Sequence, residues 1–308
     1  MTKILIKCRN IFIGDILFAG SVARKLKDKY KGMCEIHFDL NYIQPLELML
    51  NNPWIDKVFY MENEGEYDKE YVLTESSEPL DPYEKKPVQF QRMCEIDDYD
   101  SDGDYEIFTN QALDYSIEKS LKWIEANQWG EHKKVCYQVD WEKKSFLFSE
   151  DEYELAEGGE HGLGYGGSTR CLADILKPLE SSDDMIILAV GLETENVTKE
   201  YPAINATSRF TFTASLLKNV DYMIGAEGCL TNISAAVGTP TIITTDYIYQ
   251  MFGPKGISWQ QDGGKLNKLE ERTPQLGPLC YYPNENHVHL SPYLTDEEVG
   301  SKVLEIVL

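Results

Sequence analysis

The chain has 308 residues, 42% of them hydrophobic, and its 52 acidic and 29 basic side chains leave a net charge of −23. That length suits one large domain or two ordinary ones, and the apolar share excludes wholesale disorder. The charge opposes nonspecific binding to nucleic acid or anionic lipid and leaves room only for a local basic cleft.

Seven cysteines (Cys8, Cys34, Cys94, Cys136, Cys171, Cys229, Cys280) are scattered and never form CxxC. Such spacing argues against a zinc knuckle or a disulfide framework and fits a reducing cytoplasm. The apolar N-terminal stretch lacks a small-residue cleavage site, and no run of about 18 apolar residues occurs. Neither a signal peptide nor a membrane span is expected.

In chain order, the apolar run KILIKC (3–8) predicts a strand. DILFAGSVARKLKDKY (15–30) predicts a helix with Leu17, Val22 and Leu26 among its apolar positions and a basic last turn. CEIHFDL (34–40), IQPLELMLNN (43–52) and DKVFYM (56–61) then read as strand, helix and strand. This alternation implies a parallel sheet of βαβ units. Residues 62–110, acidic and punctuated by Pro79, Pro82 and Pro87, break the rhythm and predict an irregular insertion or a set of short elements.

NQALDYSIEKSLKWIEANQW (110–129) restores a helix, and KKVCYQVDW (133–141) predicts a strand. The glycine-rich EGGEHGLGYGGSTR (157–170) follows a polar stretch, so the expected units are 1–150 and 151–308. In the second, helices are expected at 169–179, 213–220, 230–238 and 295–308, and strands at 185–191, 221–226 and 240–245. The expected fold is α/β: two Rossmann-like domains facing each other across a cleft, with ligands bound beyond the carboxyl ends of the strands.

Several groups stand at those ends. Asp15, beside Gly14, opens the first helix, where an acid can simply cap the helix. Glu227, before Gly228, closes the strand DYMIGA; it can accept both hydroxyls of a ribose or serve as a helix-start acid. GLGYGGSTR (162–170) reads equally as a phosphate cradle, with Ser168 or Thr169 capping and Arg170 as cation, or as an interdomain loop. Asp98, Asp100, Asp102 and Gly103 resemble the opening of a calcium loop, but its twelfth position is Thr109 and not Glu. His287 and His289 share one face of a strand without a third ligand. No metal site is therefore expected.

VDYMIGAEGCLTNISAAVGTPTIITT (220–245) resembles the donor-binding segment of glycosyltransferase family 9, the heptosyltransferases: a strand, an acid-led turn, a helix of small residues, and Gly-Thr-Pro before the next strand. ILIKCRNIFIGDILFAGSVARKLKDKYKGMCEIHFDL (4–40) with LMLNNPWIDKVFY (48–60) is similar to that family's N-terminal block, as is FTFTASLLKNVDYMIG (210–225) to the segment before the donor loop. MFGP (251–254) stands where the family has a similar Gly-Pro. The resemblance covers residues 1–60 and 205–255.

It implies the GT-B architecture, a nucleotide-diphosphate sugar as donor substrate, no cofactor, and an inverting transfer that needs no metal. It assigns Asp15 as the base. The donor side falls to Glu227 with Gly228, Cys229, Leu230, Thr231 and Asn232, and to Ser168, Thr169 and Arg170. The family usually has Asp at 227 and His at 232, so ADP-heptose does not follow. The acceptor is a glycan or another hydroxyl compound, down to a modified nucleobase, although the net charge opposes duplex DNA. The alternatives are a noncatalytic nucleotide-sugar or glycan-binding protein and a sugar-nucleotide epimerase on the same fold.

Overall fold

A computed structural model describes residues 1–9, 11, 13–61, 65–74, 86–97, 106–126, 132–139, 185–191, 203–206, 209–226, 229–245, 287–290 and 296–308. The first unit runs β1 (Thr2–Cys8), α1 (Ile13–Lys29), β2 (Cys34–Leu40), α2 (Leu46–Leu50), β3 (Lys57–Tyr60), β4 (Lys69–Leu73) and α3 (Lys86–Met93). The second runs α4 (Gln111–Ile124), β5 (Lys133–Val139), β6 (Met185–Gly191), β7 (Ala203–Asn205), α5 (Phe210–Lys218), β8 (Tyr222–Ala226), α6 (Cys229–Ala236), β9 (Thr241–Thr245), β10 (His287–His289) and α7 (Asp296–Val307).

Both sheets are parallel. The first has the order β3-β2-β1-β4 and the second β10-β9-β8-β5-β6-β7. Renumbered from its own first strand, the second order is that of the doubly wound dinucleotide-binding fold, and the first is the same order cut short. Strand order reverses between β1 and β4 in one sheet and between β5 and β8 in the other. Ligand crevices form at the carboxyl ends of strands at such reversals.

The alternation within each strand decides what covers it. Ile4 and Ile6 of β1 pair in register with Ile36 and Phe38 of β2, and all four pack under Ile16, Phe18, Val22 and Leu26 of α1 and Phe90 of α3. The opposite face carries Lys3, Lys7, Glu35, His37 and Asp39 around a buried Leu5, so it is mixed where the α1 face is apolar. The second sheet is apolar on both. Cys136, Leu188 and Met223 meet α5, while Val135, Ile187 and Ile224 meet Val299 and Val303 of α7.

Chain chemistry also sets where helices begin and end. Asn110 caps α4 by accepting from the Ala112 and Leu113 amides. The α1 helix ends in a left-handed Lys31 (φ 51°). Gly32 N–H closes onto Lys27 O (2.8 Å) and Lys31 N–H onto Asp28 O (2.9 Å), the paired bonds of a Schellman ending.

One sequence expectation needs correction, and of another one alternative holds. The boundary expected at residue 150 is too late: β5 is a central strand of the second sheet, and Ile117 and Leu121 of α4 pack with Leu216 and Leu217 of α5. α4 and β5 therefore go with the second sheet and not with the first. Of the two readings of residues 62–110, the set of short elements holds for the described part. They contribute β4 to the first sheet and α3 over α1. Pro87, read as a breaker, sits in the first turn of α3, where no intrahelical N–H bond is lost.

Candidate active site

β1 and β8 each flank a reversal of strand order, and each hands over to a helix at its carboxyl end. Those two helices, α1 and α6, meet N-terminus to N-terminus. The contact is made at Gly14, where a side-chain Cβ would lie 3.4 Å from Asn232 Nδ2, 3.6 Å from Cys229 Cα and 3.8 Å from Cys229 Cβ. Even a methyl group there would be in ordinary contact, so a small residue keeps the two turns this close.

Asp15 lies in the first turn of α1, partly buried, at this junction. Desolvation, and after it the negative charge of Asp15, push the Cys229 thiol up to about 12. Cys229 is therefore a neutral thiol near pH 7 and not a nucleophile. Thr231 and Asn232 are almost wholly buried, 1% and 5% exposed. The first turn of α6, Cys229 to Asn232, brings its main-chain N–H groups, which have no intrahelical acceptor, to the junction. Two helix N-termini side by side create a local positive field suited to an anion such as a diphosphate.

The connection from β1 to α1 is tied down by polar side chains that sequence reasoning missed. Arg9 donates through Nη1 to Cys8 O (2.8 Å) and Asp39 O (3.0 Å), and through Nη2 it pairs with Asp39 Oδ2. Asn41 Nδ2 donates to Ile11 O at 3.1 Å. The partners lie 30 residues apart and become neighbours only through the β1–β2 register. The only sequence cue was a cation directly after the first strand.

A second missed group joins the units. Glu47 of α2 accepts from Arg209 Nη1 at 2.9 Å and Thr211 Oγ1 at 2.8 Å, at the N-terminal end of α5. Its carboxylate there complements the helix dipole of the other unit.

Of the sequence-derived candidates, the structure brings together Gly14, Asp15, Cys229 and Asn232, with Leu230 and Thr231 in the same first turn. Glu227, Gly228, Ser168, Thr169 and Arg170 lie outside the described residues, as do Asp98, Asp100, Asp102 and Gly103. Thr109 donates to Asp114 Oδ2 at 2.7 Å. His287 and His289 do lie on a strand, β10. Among the described residues no group of three or more His, Cys, Asp or Glu is placed to hold a metal ion. No helix among them is long and apolar enough to cross a membrane.

No protein-family model matches the chain, and no curated protein matches it either. Solved structures do. A family 9 glycosyl transferase of Veillonella parvula superposes with a TM-score of 0.64 at 10% identity, over 99% of this chain and 97% of the other. The ADP-heptose lipopolysaccharide heptosyltransferase II of E. coli gives 0.60 at 12% identity, over 99% and 98%. The E. coli heptosyltransferase WaaC with ADP-2-deoxy-2-fluoro heptose gives 0.53 at 10%, over 98% and 99%. Two parallel doubly wound sheets, joined at their carboxyl ends and shared over nearly the whole length of these enzymes, give the chain the GT-B fold of the family 9 glycosyltransferases.

Proposed function

We propose that the chain is an inverting glycosyltransferase that moves a sugar from a nucleotide-diphosphate donor to an acceptor hydroxyl. The observation that carries this reading is the junction of the Gly14–Asp15 turn with the N-terminus of α6. A carboxylate from one unit stands beside main-chain donors from the other. Asp15 takes the proton of the acceptor hydroxyl, and the acceptor oxygen attacks the anomeric carbon from the face opposite the diphosphate. The carbon–oxygen bond to the diphosphate breaks, its electron pair leaves with the phosphate oxygen, and the configuration inverts. The α6 amides, with Glu227 on the ribose and Ser168, Thr169 and Arg170 toward the phosphates, receive the leaving group without a metal or cofactor. The acceptor is a glycan or another hydroxyl compound. Free thiols at the five described cysteines, four of them buried, support work in a reducing cytoplasm.

A screen of donor hydrolysis and transfer over ADP-, UDP- and GDP-sugars tests the reading. ADP-sugars come first because two of the similar structures are ADP-heptose enzymes or carry an ADP-sugar analogue by their descriptions. One donor class should be turned over, and the rate should survive excess EDTA. Binding of a nucleotide sugar without turnover of any donor would leave a binding protein instead. Loss with EDTA and recovery with magnesium would refute the metal-free account.

A further inference from the structure

We infer that Arg9, Asp39 and Asn41 are positioning residues for Asp15, forming a clamp that fixes the β1–α1 connection at the mouth of the first sheet. The inference rests on the reading of Asp15 as the base.

The bonding is concentrated where the chain leaves β1. The Arg9 guanidinium ties Cys8 O, at the end of β1, to Asp39 O, near the end of β2, and pairs with the Asp39 carboxylate. The Arg9 amide donates to Leu73 O at 2.9 Å, which joins the same point to the end of β4. One arginine therefore holds the carboxyl ends of three strands. Two residues on, Ile11 O takes the Asn41 side chain, and Ile11 itself is buried in the core under α1. Only residues 12–14 then separate this anchored stretch from Asp15.

Asp39 is a costly residue to bury at this edge. Its side chain is 3% exposed, and Oδ1 is buried with no hydrogen-bond partner among the described residues. A buried carboxylate with one open acceptor costs folding energy, and an apolar residue at this edge would avoid that cost. What the carboxylate supplies is an aimed partner for Arg9. The planar fork of arginine then reaches two carbonyls and the carboxylate at once, which a lysine cannot do. Misplacing a base by about 1 Å costs on the order of 10²-fold in rate, so a pinned connection matters at this point.

The test is kinetic and structural. Arg9→Lys and Asn41→Ala should each lower kcat about 10-fold while the KM for the donor, held by the other unit, stays within about two-fold. In an Asp15→Asn background the same changes should alter the residual rate less than about two-fold, because a residue acting through Asp15 has nothing left to position. Hydrogen exchange should accelerate in a peptide spanning residues 9–17 and not in α4 or α5. Equal losses with and without Asp15, or a rise in donor KM with kcat unchanged, would overturn the clamp. Unchanged exchange in both variants would do the same. A wild-type protein that transfers no sugar while the exchange result holds would refute the catalytic reading alone and leave the clamp as a structural feature.

Discussion

Asp15 and Asp114 place one residue type in two different settings. Asp15 stands in a first helical turn at the junction of the two units, and the proposed function makes it the base. Asp15→Asn should leave nucleotide affinity within a few-fold and cut turnover by about 10²–10⁴, the usual worth of a positioned base. Rapid transfer by that variant, measured with saturating donor, would remove Asp15 from the mechanism. Asp114 sits away from the junction, 15% exposed, between α4 and α5. Burial alone would raise its pKa, but the Lys218 ammonium at 2.8 Å and the Thr109 hydroxyl hold it below the usual carboxylate range. A depressed folded-state pKa stabilises the fold above the ordinary value and loses that contribution as pH falls through the folded value. Asp114→Asn should therefore cost about 1–2 kcal/mol in urea titrations near neutral pH. The gap between variant and parent should close below about pH 4. A gap that widens in acid would contradict the assignment.

At the scale of elements, the α1–α6 junction is kept close by a small residue, Gly14. The distances around Gly14 allow a methyl group in ordinary contact and nothing larger. Gly14→Ala should keep most of the activity. Gly14→Leu should separate the two helix N-termini and lose at least 10-fold in transfer, with a smaller change in melting temperature. Full activity of the leucine variant would mean that the junction is not where chemistry occurs.

Which elements were legible follows from what each strand buries. The central strands β1, β6 and β8 are continuous apolar runs between turn residues, so KILIKC, MIILAVG and DYMIGA could be read directly. The edge strand β4, KEYVL, alternates because only Tyr71 and Leu73 are buried, and its charged neighbours mask it. The three-residue strand β7 is too short to carry a pattern. α3 was hidden by Pro87, whose meaning depends on whether it lies inside a helix or in its first turn. Among the site candidates, Asp15 and the first turn of α6 could be singled out from the sequence because turn chemistry is local. The Arg9–Asp39 and Glu47–Arg209 pairs were not, since each depends on a register or packing that joins distant parts of the chain.

For the whole molecule, a net charge of −23 spread over two units favours their separation through self-repulsion. Glu47 with Arg209 opposes that locally, but both are substantially exposed, so the pair contributes little in salt. The apolar seam does more. Leu17 of α1 and Leu48 of α2 belong by sequence to the first unit, yet both are buried in the cluster formed by α4, α5, β5 and β6 of the second. Helix α1 thus faces two cores at once: Ile16, Phe18 and Val22 go to its own sheet and Leu17 to the other. Two units that share side chains in this way cannot melt independently. Calorimetry should record a single transition whose calorimetric and van't Hoff enthalpies agree. Leu17→Ala, which opens a cavity worth about 2–5 kcal/mol, should lower that transition and begin to split it in two. The GT-B halves, usually pictured as bodies free to rock about a linker, would then be thermodynamically one cooperative unit in this chain, and the first half expressed alone would expose Leu17 and Leu48 and self-associate.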